Sequence, residues 1–301
     1  MVDKLIGMML DDYRVEDLLG RGAAARIYRA TDTAFDRQVA LKIMHQHAAD
    51  DPEYVTRFKR EARAIASLQH PHIIELYRYG QAEGYLYMAM AYIAGLSLSH
   101  TLAYLREQGQ FIKPEALARI VRQTAAALDY AHGQGIIHRD VKPANIMLDD
   151  QMRVVLADFG LALLTSDGTR GETLGTPHYL APEQAISSAN AVPQSDLYSL
   201  GVILFEALTG QRPFESKRPV EVALLHITQK PPAPRSIRPS LSPEVEALLL
   251  KAIEKQPEDR FQSGTELADA LDAALSVVSS LPAASAAPDE ALLEEASTAA
   301  W

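Results

Sequence analysis

His138-Arg139-Asp140-Val141-Lys142-Pro143-Ala144-Asn145, followed by Asp158-Phe159-Gly160, is the stretch on which the reading of this 301-residue chain turns. It brings two carboxylates, a lysine and a carboxamide into a short span. Asp158 follows the apolar run Val154-Val155-Leu156-Ala157, so it emerges from a buried strand into a cleft. Carboxylate and carboxamide oxygens suit a hard divalent cation. A carboxylate beside a lysine can orient a hydroxyl and neutralise a phosphoryl group in transfer.

The bulk properties exclude several alternatives. A hydrophobic fraction of 48% is enough for a sizeable core, and a formal net charge of −10 argues against nucleic acid as the main partner. The chain has no cysteine, so disulfides, thiolate catalysis and cysteine-based metal sites are absent. No apolar run approaches the roughly 18 residues of a membrane span. The best candidate, residues 198–208, is short and carries Glu206. The N-terminus leads into no apolar segment with a small-residue cleavage site. These features predict a soluble cytoplasmic protein with no membrane span.

Working outward, residues 15–19, 26–31, 38–44, 73–79 and 85–92 read as β-prone runs. Asp51-Pro52-Glu53 opens a helix that runs to about residue 68 and stops before His70-Pro71. Five strands and one helix form a small lobe, which Gly95 leaves as a hinge exit. The remainder is mostly helical: residues 97–108, 114–133, 196–209, 220–229, 243–255 and 265–278 carry helical spacing. Beyond that the composition shifts to Ala, Ser, Pro and Glu, which predicts a disordered tail.

Leu19-Gly20-Arg21-Gly22-Ala23-Ala24-Ala25-Arg26-Ile27 lies between two strands, and its glycines allow close approach of backbone to phosphate. Lys42, in Val39-Ala40-Leu41-Lys42, is a cation among apolar strand residues and requires an anionic partner. On the following helix Tyr54, Phe58, Glu61, Ile65 and Leu68 share one face, and Glu61 is the only charge on it. His45/His47 and His70/His72 lack a third ligand, so no zinc site is expected.

Together these motifs resemble the protein kinase family, over residues 13 to about 275. The closest likeness is to bacterial eukaryotic-like (Hanks-type) Ser/Thr kinases. It is carried by Arg57-Phe58-Lys59-Arg60-Glu61-Ala62, by residues 175–184 around Ala181-Pro182-Glu183, and by Pro257-Glu258-Asp259-Arg260-Phe261. The resemblance implies an α+β, bilobal protein-kinase-like fold: a small five-stranded antiparallel sheet plus one helix (residues 13–92), then a large, mainly helical lobe (93–275), with 276–301 as the tail.

The same resemblance implies ATP as donor and Mg²⁺ as metal, with Mn²⁺ as a substitute. Asp140 becomes the base or hydroxyl-orienting group, Lys142 the neutraliser of the γ-phosphoryl, and Asn145 and Asp158 the metal ligands. Leu19, Gly20, Gly22, Ala25 and Ile27 cover the nucleotide, Ala25 standing where the family usually has a third glycine. Lys42 pairs with Glu61 and the phosphates. Met90 is the gatekeeper, the backbone of Ala91 and Ile93 binds adenine, and Ala40, Ile27 and Met147 sandwich it. Phe159 and His138 pack with Ile65 and Leu76, Asp196 anchors the catalytic-loop backbone, and Glu183 pairs with Arg260.

Arg139 suits a phosphate on the segment 160–181, where Thr169 and Thr173 are the expected autophosphorylation sites. Partners are then protein Ser/Thr substrates and a second copy of the chain acting in trans, through a transient homodimer. Two rivals stand beside this reading. A pseudokinase would lack Lys42, Asp140, Asn145 or Asp158, and all four are present. A small-molecule phosphotransferase is disfavoured by the intact segment 175–184 and the full helical lobe.

Overall fold

A computed structural model describes residues 3–22, 24–159 and 177–279. The expected phosphosites Thr169 and Thr173 lie outside the described residues, as do Gly160 and residues 280–301 of the tail.

The small lobe is an antiparallel sheet of β1 (Met9–Leu10), β2 (Tyr13–Arg21), β3 (Ala25–Asp32), β4 (Arg37–Met44), β5 (Leu76–Ala82) and β6 (Tyr85–Ala91). Its strand order is β1-β2-β3-β4-β6-β5, so there are six strands and not five. The extra one, β1, has two residues, too few for alternation to reveal it. Alternation on β4 divides its side chains between two faces. Val39, Leu41 and Ile43 pack with Tyr13, Tyr28 and Tyr87 on the outer face. Met44 packs with Phe58, Ala62 and Met88 on the face covered by α1 (Pro52–Ala66), and Lys42 has the parity of that inner face. Proline at N1 and the Asp51 carboxylate, which accepts from the Glu53 N–H (2.9 Å), start α1.

The outer face is closed by the segment before β2. Leu5 and Leu10 are buried in it. Gly7 N donates to Val15 O (2.9 Å) and Val15 N to Met8 O (3.0 Å). The Asp3 carboxylate accepts from Arg26 Nη1 and Tyr28 OH, both at 3.0 Å.

The large lobe is built on α2 (Leu98–Glu107), α3 (Pro114–Gly133), α4 (Pro182–Ile186), α5 (Pro193–Thr209), α6 (Pro219–Thr228), α7 (Pro234–Ile237), α8 (Pro243–Ala252) and α9 (Gly264–Ser279). The final helix thus extends into the stretch assigned to the tail. Helix α5 is apolar around almost its whole circumference and is buried accordingly. A Cβ at Gly201 would stand 2.8 Å from Ala252 Cβ, so glycine is what lets α5 and α8 approach.

A second sheet, β7 (Gly95–Ser97), β8 (Ile146–Asp149) and β9 (Val154–Leu156), lies at the junction of the lobes. Gly95 is required there, since a Cβ would overlap Leu148 O at 2.0 Å. Strand β9 also accounts for a shift in β5. Ile74 N donates to Leu156 O (3.0 Å) and Leu156 N to His72 O (2.9 Å). Residues 72–74 therefore bond to β9, and β5 begins three residues later than the sequence pattern suggests.

Glu183 and Arg260, 77 residues apart, form a two-pronged ion pair at 2.8 Å on each arm. The Arg260 side chain is 1% exposed, and its other donors reach Glu254 O, Gln194 O and Lys255 O. Burial pushes the Glu183 carboxyl up, but Arg260 and the Ser195 hydroxyl outweigh that and hold it below the usual range. Arg260→Met leaves a buried carboxylate without its cation and should cost about 3–5 kcal/mol in urea unfolding. A loss below about 1 kcal/mol would show that the pair is not structural.

Candidate active site

The loop that carries Asp140 follows α3 and is held from below. Asp196, in the first turn of α5 and 1% exposed, accepts three bonds: from His138 N (2.8 Å), Arg139 N (2.8 Å) and His132 Nε2 (2.7 Å). These bonds support Arg139 at φ +68°, a left-handed conformation that non-glycine residues adopt only under such constraint. The neighbouring His138 is buried. Its Nδ1 accepts from Asp140 N (3.2 Å), so Nε2 carries the proton and donates to Ala157 O (2.9 Å). Its ring lies 4.4 Å from that of Phe159, which shares a core cluster with Ile65, while Leu76 packs on that cluster. The expected column between the lobes is therefore assembled.

Above this support, Asp140, Lys142 and Asn145 converge. Lys142 Nζ donates to Asp140 Oδ2 at 2.7 Å. Asn145 Nδ2 donates to both Asp140 O (2.8 Å) and Asp140 Oδ2 (3.0 Å). With the amide nitrogen so engaged, the amide oxygen is the atom through which Asn145 can ligate a cation. Asp140 and Lys142 remain partly open to solvent.

Asp158, at φ +63°, faces the loop from the end of β9. Its Oδ1 accepts from Lys42 Nζ at 2.8 Å. Burial alone raises its pKa, but Lys42, then Lys142 and His138, hold it below the usual carboxylate range. Asp158 and Asn145 together present hard oxygens of the type Mg²⁺ takes when substrate phosphates supply further ligands. The donor set therefore fits Mg²⁺. Among the described residues no three acidic or histidine side chains gather into a self-sufficient metal cage.

One expected contact is not made. Lys42 is paired with Asp158 and not with Glu61. Glu61 is 7% exposed, and neither of its carboxylate oxygens has a hydrogen-bond partner. Burial pushes its pKa up to about 7, against the opposing influence of Arg60, Arg139 and Arg57. The Lys42 amine is instead taken by the carboxylate at the end of β9, 116 residues along the chain.

The remaining positions fall around the cleft between the lobes. Gly20 pairs with Ile27 and Ile27 with Lys42 across the sheet. Gly22 N donates to Ala25 O (2.8 Å) and closes the hairpin; Leu19 is half-buried. The Ala25 methyl is buried against Met44 and Phe58, so only the Ala25 backbone can meet a ligand. Ala40 is opposite Met90. Met90 and Met147 share a cluster with Ile74 and Ala157, with Ala91 and Ile93 at its edge. Ala91 N is engaged by Glu75 O (2.9 Å).

A β-lobe set over a helical lobe, with two amines and hard oxygen donors facing each other across the gap, is the architecture of a phosphotransferase. Comparison with known proteins narrows this. Residues 13–271 match the model of the protein kinase domain, and the chain belongs to the protein kinase family. It is 40% identical over 272 residues to the serine/threonine-protein kinase PknE of Mycobacterium bovis, covering 89% of this chain and 47% of that protein. It is 38% identical over 267 residues to the serine/threonine-protein kinase PrkC of Bacillus subtilis, covering 87% and 40% respectively. The chain thus spans less than half the length of these curated relatives. The crystal structure of the Mycobacterium tuberculosis PknI kinase domain superposes with a TM-score of 0.71 at 32% identity, over 89% of this chain and 98% of that one. No helix among the described residues is long and apolar enough to cross a membrane.

The unpaired Glu61 gives a pH signature. Its folded pKa lies above the unfolded value of 4.5, so its contribution is fully present below pH 4.5 and is lost as pH rises through about 7. Glu61→Gln keeps a neutral side chain throughout. Melting temperatures should coincide near pH 4.5 and favour the glutamine variant at pH 8. An equal offset at both values would place the carboxylate in a paired state.

Proposed function

We propose that this chain is an ATP-dependent Ser/Thr protein kinase that transfers the γ-phosphoryl group to protein hydroxyls, with residues 13–275 as its kinase domain. The observation that carries the reading is the Asp140–Lys142–Asn145 cluster facing the Lys42–Asp158 pair.

The Asp140 carboxylate orients the acceptor hydroxyl and takes its proton as the O–Pγ bond forms and the bond from Pγ to the β-phosphate oxygen breaks, releasing ADP. Lys142 already sits on Asp140 Oδ2 and offsets charge on the phosphoryl group in flight. Asp158 and Asn145 would hold Mg²⁺, which neutralises phosphate charge when bound. Lys42 binds the α- and β-phosphates. Leu19, Gly20, Gly22, Ala25 and Ile27 cover them, and Met90, Ala91, Ile93, Ala40 and Met147 surround adenine. Most of the rate enhancement is positioning and electrostatics, since these groups are held by hydrogen bonds before substrate arrives.

Activation proceeds by autophosphorylation in trans at Thr169 and Thr173, through a transient homodimer, within bacterial signal transduction. Arg139 is the basic group suited to the new phosphate. ATP as donor places the domain in the cytoplasm.

The test is incubation with γ-labelled ATP and Mg²⁺, beside Lys42→Met and Asp140→Asn, with phosphate mapped by mass spectrometry. Asp140→Asn should lose about 10²- to 10⁴-fold in rate. Near-parental turnover would remove Asp140 from the chemistry. Thr169→Ala with Thr173→Ala should lower activity, and a fully active double variant would refute the activation step alone.

A further inference from the structure

Buried in the large lobe, away from the cluster of reacting groups, is a histidine whose every polar group is engaged. His226 lies on α6, is 0% exposed, and shares its inward face with Val222 and Ala223. Its Nε2 is 3.1 Å from His178 O. A carbonyl oxygen can only accept, so Nε2 carries the proton. Its Nδ1 is 2.8 Å from Tyr198 OH and, in that tautomer, must accept from it. Its own carbonyl accepts from Lys255 Nζ at 2.7 Å. The ring meets Phe214 edge-on at 4.9 Å, and the Lys255 ammonium lies over the Phe214 ring. Burial, and then the nearby Lys255 charge, push the His226 pKa down to about 3, so the ring is neutral at physiological pH. Tyr198, raised by burial, stays protonated and keeps its role as donor.

What His226 grips is the short turn Pro177–Tyr179, which enters the described structure directly after residue 176. The turn is held at two further points. Ser199 Oγ donates to Tyr179 O (2.6 Å), and Tyr179 OH donates to Glu206 Oε2 (2.5 Å). Tyr179 forms one wall of a polar hollow whose other walls include Ser99, Arg106, Glu206, Arg212 and Pro143 of the catalytic loop. The hollow therefore adjoins the loop that carries Asp140 and Lys142. Helices α5 and α6 both reach this turn, but only His226 carries a bond from α6 to it among the hydrogen bonds described.

We propose that His226 is a positioning residue for the acceptor substrate: its Nε2–H fixes the turn Pro177–Tyr179 against the catalytic loop, and so sets the acceptor side of the cleft without touching the nucleotide side. The inference rests on the chain being a protein kinase.

Steady-state kinetics with myelin basic protein as a generic acceptor test it. His226→Leu should raise the acceptor KM about 3- to 10-fold, the effect of losing one neutral hydrogen bond. The ATP KM should stay within about twofold, on the reasoning that the bond does not reach the nucleotide side. His226→Gln, whose amide can donate to the same carbonyl, should recover most of the loss. Should His226→Leu fail to fold, Tyr198→Phe removes one of the two ring bonds and should shift the acceptor KM in the same sense. Nitrogen-15 spectra of the parent should report a neutral ring protonated at Nε2 between pH 6 and 8. Equal changes in both KM values, an unchanged acceptor KM, absence of rescue by glutamine, or a ring protonated at Nδ1 would each overturn the proposal. Failure of the parent enzyme to transfer phosphate at all would instead overturn the kinase reading.

Discussion

A carboxylate sealed from water is costly unless donors surround it, and Asp196 is such a carboxylate with three donors in place. Two of them are consecutive backbone N–H groups, those of His138 and Arg139 in the Asp140 loop. The loop cannot move without stranding a charge in the core, and the core helix α5 cannot shift without dragging the loop. That mutual dependence lets Arg139 hold a left-handed backbone conformation and lets His138 face both Asp140 N and Ala157 O. Both carboxylate-bearing segments of the site, the loop at Asp140 and the residues after β9 at Asp158, are thereby indexed to one helix.

Across the cleft, two carboxyl groups are shifted in opposite directions. Burial raises both, but at Asp158 the bonded Lys42 outweighs it, whereas at Glu61 burial prevails over Arg60, Arg139 and Arg57. Asp158, which holds Lys42, is lowered, and Glu61, which does not, is raised.

Legibility in the sequence followed distance along the chain and the number of rival partners. Asp140, Lys142 and Asn145 are separated by only two and three residues, so their convergence needs little beyond the loop itself. Glu183 and Arg260 are far apart, yet each has one obvious counterpart, and they meet as expected. Lys42 meets Asp158 and not Glu61, because periodicity on α1 puts Glu61 on the inward face without saying whether it reaches the amine. The start of β5 is likewise set by a partner outside its own stretch. Residues 73 and 74 have strand character, and β9 recruits them first. The short strands β1, β7 and β8 lie below the length at which alternation is visible. His226 gave no signal, because a histidine on an apolar helix face reads as ordinary core.

The segment preceding β2 bears on where this protein can be divided. The match to the kinase-domain model begins at Tyr13, but the outer face of the sheet is finished by Leu5, Leu10 and the Asp3 bonds to Arg26 and Tyr28. Removing residues 3–12 would uncover a row of aromatic and branched side chains at Tyr13, Tyr28, Val39 and Tyr87, the kind of contiguous apolar patch that makes soluble domains self-associate. The stretch matched by the family model is therefore smaller than the unit that closes its own apolar surface, and at the N-terminal side the difference is the ten-residue strap 3–12.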